Sequence, residues 1–413
     1  MKIMRKILSF LIASVITCSF GSCGKKNESA MIKTPDITKA APVKYDDGNF
    51  SKYVSNTYVA SGNNSLVEKA ESVTYRAYFP VEEYGGLEYC FYFSNMVDST
   101  YSDGSLAHAG LAGGDYTIES AYIADGGTSV NQEITNRQAV TFDGNAKRNV
   151  SAGETFWSDA LEFDVPEEHY LVWEWTLTGE NIPATSVSNL TKVGADHNDG
   201  KGLVYCDDVP LPQLIGADRQ VKYTVSAIGD SITQGCQTEF MAYEYWAAKI
   251  SQKLGSEYSL WNCGLGWART SDAALCGDWL QRAAASDIVI VAFGTNDIIS
   301  GEFGGDGGNS ADEIDGYIRT VLDLLKKEQC SVIVFNAPPE DYRDNLEAVR
   351  TEYNEKLKST CEEYGVSYFD FAGLLSDESE PSKALYGGHP NGEGGEIVSE
   401  EFLRIYKDYL DIK

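Results

Sequence analysis

The second half of the sequence alternates short apolar stretches with segments of helical periodicity, and this alternation restricts the possible folds more than any other feature. The apolar stretches, which predict buried strands, lie at 221–228, 258–265, 287–293, 331–336 and 366–371. Helical spacing follows them at 241–254, 272–285, 311–327, 344–364 and 393–410. Strands that are apolar on both faces and alternate with helices predict a parallel sheet covered on both sides. We therefore expect a flavodoxin-like, three-layer α/β/α domain over residues 216–413.

Residues 45–215 show a different pattern, in which apolar and polar residues alternate over short stretches. The stretch 171–177, for example, places Trp173 and Trp175 on one face of a strand. Turns rich in glycine, asparagine and aspartate separate such stretches, as at 143–145. Short alternating strands with frequent turns predict a β-sandwich that precedes the α/β domain. The aromatic side chains on the exposed side of its strands have two interpretations, as stacking surfaces for sugar rings or as core and sheet-surface packing.

The first 22 residues have the organisation of an export signal. Basic residues precede an apolar stretch at 7–20, which is shorter than the ~20 residues that a membrane-spanning helix needs. Small residues then precede Cys23, and this arrangement resembles a bacterial lipoprotein signal, which implies lipidation of Cys23. The alternatives are cleavage with secretion or an uncleaved anchor, and Cys18 is a weaker lipid site. We expect a lipid-anchored, outward-facing protein of the cell envelope, or a secreted one, with a polar tether at 23–44.

The net charge of the chain disfavours some classes of binding partner. The 62 acidic side chains exceed the 33 basic ones and give a formal net charge of −29. Such a surface repels the phosphates of nucleic acids and of anionic lipids. We therefore expect no nucleic-acid partner, and membrane contact only through the lipid anchor. A neutral polysaccharide meets no such repulsion.

The ligand-forming residues do not suggest a metal centre. The four histidines are scattered along the chain and no Cys-x-x-Cys pair occurs, so the sequence predicts no metal site. Of the nine cysteines, two lie in the export signal and at its end. The odd number that remains cannot pair completely within one chain, and we expect few disulfides.

Polar motifs occur at the predicted strand ends, where parallel sheets carry their chemistry. Ser231 follows the first strand in a Gly-Asp-Ser-Ile motif, at the start of a helix, where a hydroxyl can act as a nucleophile. Asn296 follows the third strand and can donate an amide N–H to an oxyanion. His389 precedes the last helix and can serve as a general base. Each signal is weak alone, but their joint placement predicts a catalytic site.

These three motifs resemble conserved blocks of the SGNH (GDSL-type) hydrolase family, and the resemblance covers residues 216–413. It implies that Ser231 is the nucleophile and that its own N–H contributes to the oxyanion hole. It also implies that Asn296 is a second oxyanion donor and that His389 is the base. Enzymes of this kind need no metal or cofactor, so none is expected here.

Two positions depart from the family pattern. The second family block, Asn-x-Gly-x-x-Gly, is matched imperfectly at 262–267. Its backbone oxyanion donor therefore falls on Gly266 or on Trp267, and we favour Gly266. The aspartate that the family has three residues before its histidine is replaced by Tyr386.

The missing aspartate leaves three interpretations of His389 open, because that residue normally fixes the histidine tautomer. A backbone carbonyl could orient the ring, as in Ser–His dyads of carbohydrate esterases that this layout resembles. Another acid, such as Asp377, Glu378 or Glu380, could replace the aspartate. Alternatively, the enzyme could be inactive.

The sequence as a whole predicts an exported serine ester hydrolase that works by two-step acyl transfer. A β-sandwich joined to such a hydrolase resembles two-domain secreted carbohydrate esterases of the acetylxylan type. This resemblance implies removal of O-acetyl groups from a plant polysaccharide such as xylan, or from its oligosaccharides. The first alternative is a lysophospholipase or general short-chain esterase. The second is a non-catalytic glycan-binding lipoprotein with a decayed hydrolase domain, which only Tyr386 supports.

Overall fold

The computed structural model of the chain describes residues 48–99, 109–187, 189–299 and 308–410. All of these residues belong to one compact unit. The predicted export signal, the lipid site Cys23 and the tether at 23–44 lie outside the described residues. Within the described ranges, no helix has the length and apolar character needed to cross a bilayer.

The described residues up to 217 form two antiparallel sheets after a short helix. The elements are α1 (Asn49–Lys52), β1 (Val54–Ser55), β2 (Ser65–Phe79), β3 (Gly85–Ser94), β4 (Tyr116–Asp125), β5 (Thr135–Val140), β6 (Arg148–Val150), β7 (Thr155–Trp157), β8 (Leu161–Val165), β9 (Leu171–Ser186), β10 (Val193–Asp196), β11 (Asp208–Val209) and β12 (Leu214–Ala217). One sheet has the order β1-β12-β3-β7, with β8 also paired to β3. The other has the order β10-β2-β9-β4-β5, with β11 paired to β9 and β6 to β4. The predicted β-rich region before the α/β domain is confirmed.

The two sheets face each other through an aromatic core. Phe91 of β3 contacts Trp173 of β9 with ring centroids 4.8 Å apart, and Phe93 lies 5.4 Å from Trp175. Both tryptophans are almost fully buried, because the period of two places them on the inner face of β9. Each buried phenylalanine contributes about 1.5–3 kcal/mol to folding. These tryptophans therefore form part of the core of the sandwich.

The remaining described residues form the predicted α/β/α arrangement. Its elements are β13 (Tyr223–Gly229), α2 (Ser231–Gln234), α3 (Trp246–Leu254), β14 (Tyr258–Gly264), α4 (Thr270–Ala274), α5 (Asp278–Ala283), β15 (Ile288–Ala292), α6 (Thr295–Ile299), α7 (Ala311–Lys327), β16 (Ser331–Phe335), α8 (Asp344–Tyr364), β17 (Ser367–Phe369), α9 (Phe371–Leu375), β18 (Ser376–Asp377), β19 (Glu380–Ala384) and α10 (Gly392–Tyr406). The parallel sheet has the order β14-β13-β15-β16-β17, and β18 and β19 form a separate hairpin. This strand order is that of flavodoxin-like sheets, so the predicted fold class is confirmed.

Two helices differ from the predicted ones because the backbone leaves the helical region. The helix predicted over 272–285 is divided into α4 and α5, since Cys276 has a φ of 54° and Gly277 caps α5. The helix predicted from 241 begins five residues later, because Met241 has a φ of 61°. A left-handed conformation costs about 1–2 kcal/mol for a non-glycine residue and ends a helix. Helical spacing of apolar residues does not reveal such breaks.

A buried ion cluster joins the β-sandwich to the α/β region. Arg282 of α5 is 1% exposed and donates to Asp98, which follows β3, over 2.6 Å. The same guanidinium donates to Asp278 of its own helix, and the Tyr92 hydroxyl donates to Asp278 over 3.0 Å. Burial raises the pKa of Asp98 to about 6, which the Arg282 charge opposes. Because one cation serves two buried carboxyls, both depend on it for compensation.

We expect that Arg282→Met lowers the free energy of unfolding by about 3–5 kcal/mol, because it leaves buried carboxylates without their cation. Urea denaturation of the purified variant measures this loss. Arg404→Met is the control, since Arg404 pairs with Glu401 at the surface, where an ion pair contributes below about 1 kcal/mol. Equal losses in the two variants would contradict the role of Arg282.

Candidate active site

Three strand ends of the parallel sheet lie level with one another. Gly229, the last residue of β13, pairs with Gly264 of β14 on one side and with Ala292 of β15 on the other. In a parallel sheet, the segments that follow such paired residues emerge at the same edge. The predicted motifs that contain Ser231 and Asn296 follow β13 and β15, so the sheet register brings them together.

Ser231 is the first residue of α2 and is half-buried. Asp230 caps this helix, because its carboxylate accepts a hydrogen bond of 2.9 Å from the N–H of Ile232. Aspartate is among the preferred residues at such a position. Gly229 is required immediately before it, since a Cβ there would lie 2.1 Å from Thr233 Oγ1. The tight turn leaves the Ser231 hydroxyl at the edge of the sheet.

The structure places His389 against Ser231. The Oγ of Ser231 lies 2.7 Å from Nε2 of His389, although the two residues are 158 positions apart. His389 lies just before α10, where Asn391 caps the helix by accepting from two backbone N–H groups. A distance of 2.7 Å is within the range in which a base can take the proton of a nucleophile.

Asn296 lies in α6, directly after β15, and its side chain is buried. Its Nδ2 donates to the carbonyl of Ala268 over 3.0 Å. Ala268 belongs to the loop after β14, which contains the imperfect second family block. The side chain of Asn296 is therefore held at the same edge as Ser231. One of its two amide hydrogens is donated to this loop, and the other can be donated to a ligand.

The loop at 265–268 is the source of the predicted backbone oxyanion donor. Within it, the N–H of Leu265 donates to the carbonyl of Gly229 and the N–H of Ala268 donates to the carbonyl of Leu265. Neither of these two groups can serve as the donor. The assignment of the donor to Gly266, with Trp267 as the alternative, stays a prediction.

The β-sandwich holds this loop in place from the other side. Asn64, which is 3% exposed, donates from Nδ2 to the carbonyl of Gly266 over 3.1 Å. Its Oδ1 accepts from the N–H of Ser186, and the carbonyl of Ser186 accepts from the side chain of Gln234 in α2. The sandwich thus contacts both the nucleophile helix and the donor loop. The sequence carries no signal for Asn64, because it lies 202 positions from Gly266 and in no motif.

The acids that the sequence offered as replacements for the missing aspartate do not reach His389. Asp377 of β18 accepts hydrogen bonds of 2.8 and 2.6 Å from the backbone and hydroxyl of Ser379. In the part of the chain that the structure describes, the ion pair of His389 is with neither Asp377 nor the glutamates at 378 and 380. Tyr386 occupies the aspartate position, and its ring packs against the core of the domain.

The carboxyl that does face His389 belongs to Glu340, which sequence reasoning missed. Its Oε1 lies 3.7 Å from Nδ1 of His389. Burial, together with Asp230 and Asp341, raises the pKa of Glu340 to about 8. Burial lowers the pKa of His389 to about 4. Glu340 follows β16 at the carboxyl edge of the sheet, so the rule that chemistry lies at strand ends could have identified it.

The region that contains this site is similar to known hydrolases. Residues 227–397 match the model of the GDSL-like lipase/acylhydrolase family. A stretch of 139 residues is 30% identical to the GDSL esterase/lipase WDL1 of rice (Oryza sativa subsp. japonica). This stretch makes up 29% of this chain and 54% of the length of WDL1, so the chain spans about half of that protein.

Solved structures of two bacterial proteins are also similar. A variant of Axe2, an acetyl-xylooligosaccharide esterase from Geobacillus stearothermophilus, is 20% identical, with a TM-score of 0.37, over 45% of this chain and 94% of that one. A member of the lipolytic protein G-D-S-L family from Veillonella parvula is 18% identical, with a TM-score of 0.36, over 45% and 98% of the two chains.

We expect that Asn64→Ala slows the labelling of Ser231 by a fluorophosphonate about 10- to 100-fold, because small displacements of a site have effects of this size. The rate is measured by intact-protein mass spectrometry, with Ser231→Ala as the blank. Asn56→Ala is the matched control, since Asn56 is equally buried in the sandwich but bonds to Glu83 and Tyr89. Similar rates in the two variants would show that the sandwich does not position the loop.

Proposed function

We propose that the chain hydrolyses carboxylic esters through residues 227–397, which match the model of the GDSL-like lipase/acylhydrolase family, with Ser231 as nucleophile and His389 as general base. The observation that carries the proposal is the 2.7 Å contact between Ser231 Oγ and His389 Nε2. A hydroxyl bonded to an imidazole can be deprotonated while it attacks a carbonyl carbon. The same contact argues against a decayed, purely glycan-binding domain.

The proposed reaction is a two-step acyl transfer. His389 takes the proton of Ser231 as its oxygen attacks the ester carbonyl and forms a tetrahedral intermediate. In this proposal, the oxyanion accepts hydrogen bonds from the N–H of Ser231, from the N–H of Gly266 and from Nδ2 of Asn296. One such donor lowers the barrier by about 2.7–4 kcal/mol. His389 then protonates the leaving alcohol, and water repeats the sequence on the acyl-enzyme to release the acid.

We further propose that the ester is an O-acetyl group on a polysaccharide. The half-buried Ser231 can meet an acetyl group carried on a long chain. Trp267, one residue beyond Gly266, is 36% exposed, and an indole at that place can stack on a sugar ring. The net charge of −29 repels anionic lipid substrates but not a neutral glycan. The localisation proposed from the sequence, an outward-facing protein anchored through Cys23, would place the enzyme where such polymers occur.

The test of this proposal is acetate release from acetylated xylan by the chain without its export signal, beside 4-nitrophenyl acetate as a small ester. We expect turnover of both substrates, and loss of nearly all of it in Ser231→Ala, since the nucleophile is removed. Turnover of the small ester alone would favour a general short-chain esterase. Turnover of neither substrate above the Ser231→Ala level would favour the glycan-binding alternative.

We expect that Asn296→Ala lowers kcat about 10²- to 10³-fold and changes KM little, because its hydrogen bond to the oxyanion forms only in the transition state. Steady-state kinetics with 4-nitrophenyl acetate measure both constants. Asn149→Ala, at the surface of the sandwich where Asn149 accepts from Thr117, is the control and should match the wild type. A change confined to KM would mean that Asn296 binds the substrate rather than the oxyanion.

A further inference from the structure

We propose that Glu340, in the loop after β16, replaces the aspartate of the family and orients His389 through its Nδ1 atom. This inference rests on the ester hydrolysis proposed above and names its third participant. Glu340 acts on His389 and not on the substrate, so it is a positioning residue. It also differs in origin from the family acid, because it comes from another strand end and not from the segment before the histidine.

The geometry of the ring favours this role. Nε2 of His389 is engaged with Ser231 Oγ at 2.7 Å, while Nδ1 faces Glu340 Oε1 at 3.7 Å. Hydrogen bonds of catalytic groups are often long in a resting site and tighten with substrate. A shortening by about 1 Å would bring the pair into the range of charge-assisted hydrogen bonds.

The residues around Glu340 and His389 allow the two side chains to approach and leave them only partly exposed to water. The side chains of Glu340 and His389 are 12% and 21% exposed. Gly388 makes the approach possible, since a Cβ at that position would lie 3.0 Å from Cγ of Glu340. In such a partly buried place, an imidazolium and a carboxylate attract each other more strongly than they would in water.

Other ionisable groups also act on Glu340. Asp230, from the cap of α2, and the neighbouring Asp341 oppose its negative charge, and burial opposes it more strongly. The buried phenol of Tyr342 lies within electrostatic reach as well. The cation that forms on His389 when Ser231 loses its proton is the opposite charge that can offset these effects. The carboxylate form of Glu340 is therefore favoured at the step in which His389 becomes an imidazolium.

The protonation state of Glu340 sets the tautomer of His389. As a carboxylate, Glu340 accepts the Nδ1–H, so that Nε2 keeps a lone pair for the proton of Ser231. As a neutral acid, it can donate to Nδ1 and force the proton onto Nε2, which then cannot act as a base. Because burial raises the pKa of Glu340 to about 8, the working form is gained as the pH rises through that value and lost as the pH falls.

The experiment compares kcat, KM and their pH dependence for the wild type, Glu340→Gln and Glu340→Asp, from about pH 5 to 10, with 4-nitrophenyl acetate and Ser231→Ala as background. We expect Glu340→Gln to lose about 10²- to 10⁴-fold in kcat with little change in KM, since an amide can stabilise the wrong tautomer. It should also lose the rise in rate near pH 8. Glu340→Asp, which still titrates, should retain that rise and more activity than Glu340→Gln.

Glu378→Gln and Glu380→Gln are the controls, since they make the same change in acids that do not contact His389, and both should behave as the wild type. An inactive wild type would overturn the proposed hydrolysis itself. An active wild type with an unchanged Glu340→Gln, or a loss that appears in a control instead, would overturn only the role of Glu340. If Glu340→Gln does not fold, as judged by its thermal transition, the pH dependence of Glu340→Asp is the test. A rate that still rises near pH 8 supports the role of Glu340, and a rate that does not change with pH overturns it.

Discussion

The pairing of β13 with β14 on one side and β15 on the other is the constraint on which the candidate site depends. Gly229 is in register with the last residue of β14 and the last residue of β15, so all three strands end at one level. The backbone can approach this closely only because of small residues: a Cβ on Gly264 would lie 2.3 Å from the N of Gln234. The hydroxyl, the amide and the donor loop owe their proximity to this ladder, because none of them is close to another in sequence.

The β-sandwich also contributes to the geometry of the candidate site. Asn64 fixes the carbonyl of Gly266 from outside the α/β region, and Arg282 ties α5 to Asp98 in a buried cluster. These contacts are directional and poorly accessible to water, so they restrict the relative placement of the two regions more than apolar packing alone would. In this arrangement the sandwich stabilises the geometry of the loop.

The chemistry of the site depends on charges that burial makes costly. His389 and Glu340 each resist ionisation, and the carboxyl of Asp230 has a pKa raised to about 7, chiefly by burial. In the proposed acyl transfer, a proton that moves from Ser231 to His389 would create a cation next to such carboxyls. The low polarity that disfavours each isolated charge also strengthens the attraction between opposite charges.

The sequence by itself determined the fold class and predicted the candidate reactive groups, because both depend on short-range patterns. The alternation of apolar strands and helical segments reports burial and period, and Ser231, Asn296 and His389 lie in short motifs next to strand or helix ends. The tertiary structure alone decided the break at Cys276, the contact of Asn64 with Gly266 and the position of Glu340 beside His389. These features depend on backbone torsions and on contacts between residues far apart in the chain, which local spacing does not encode.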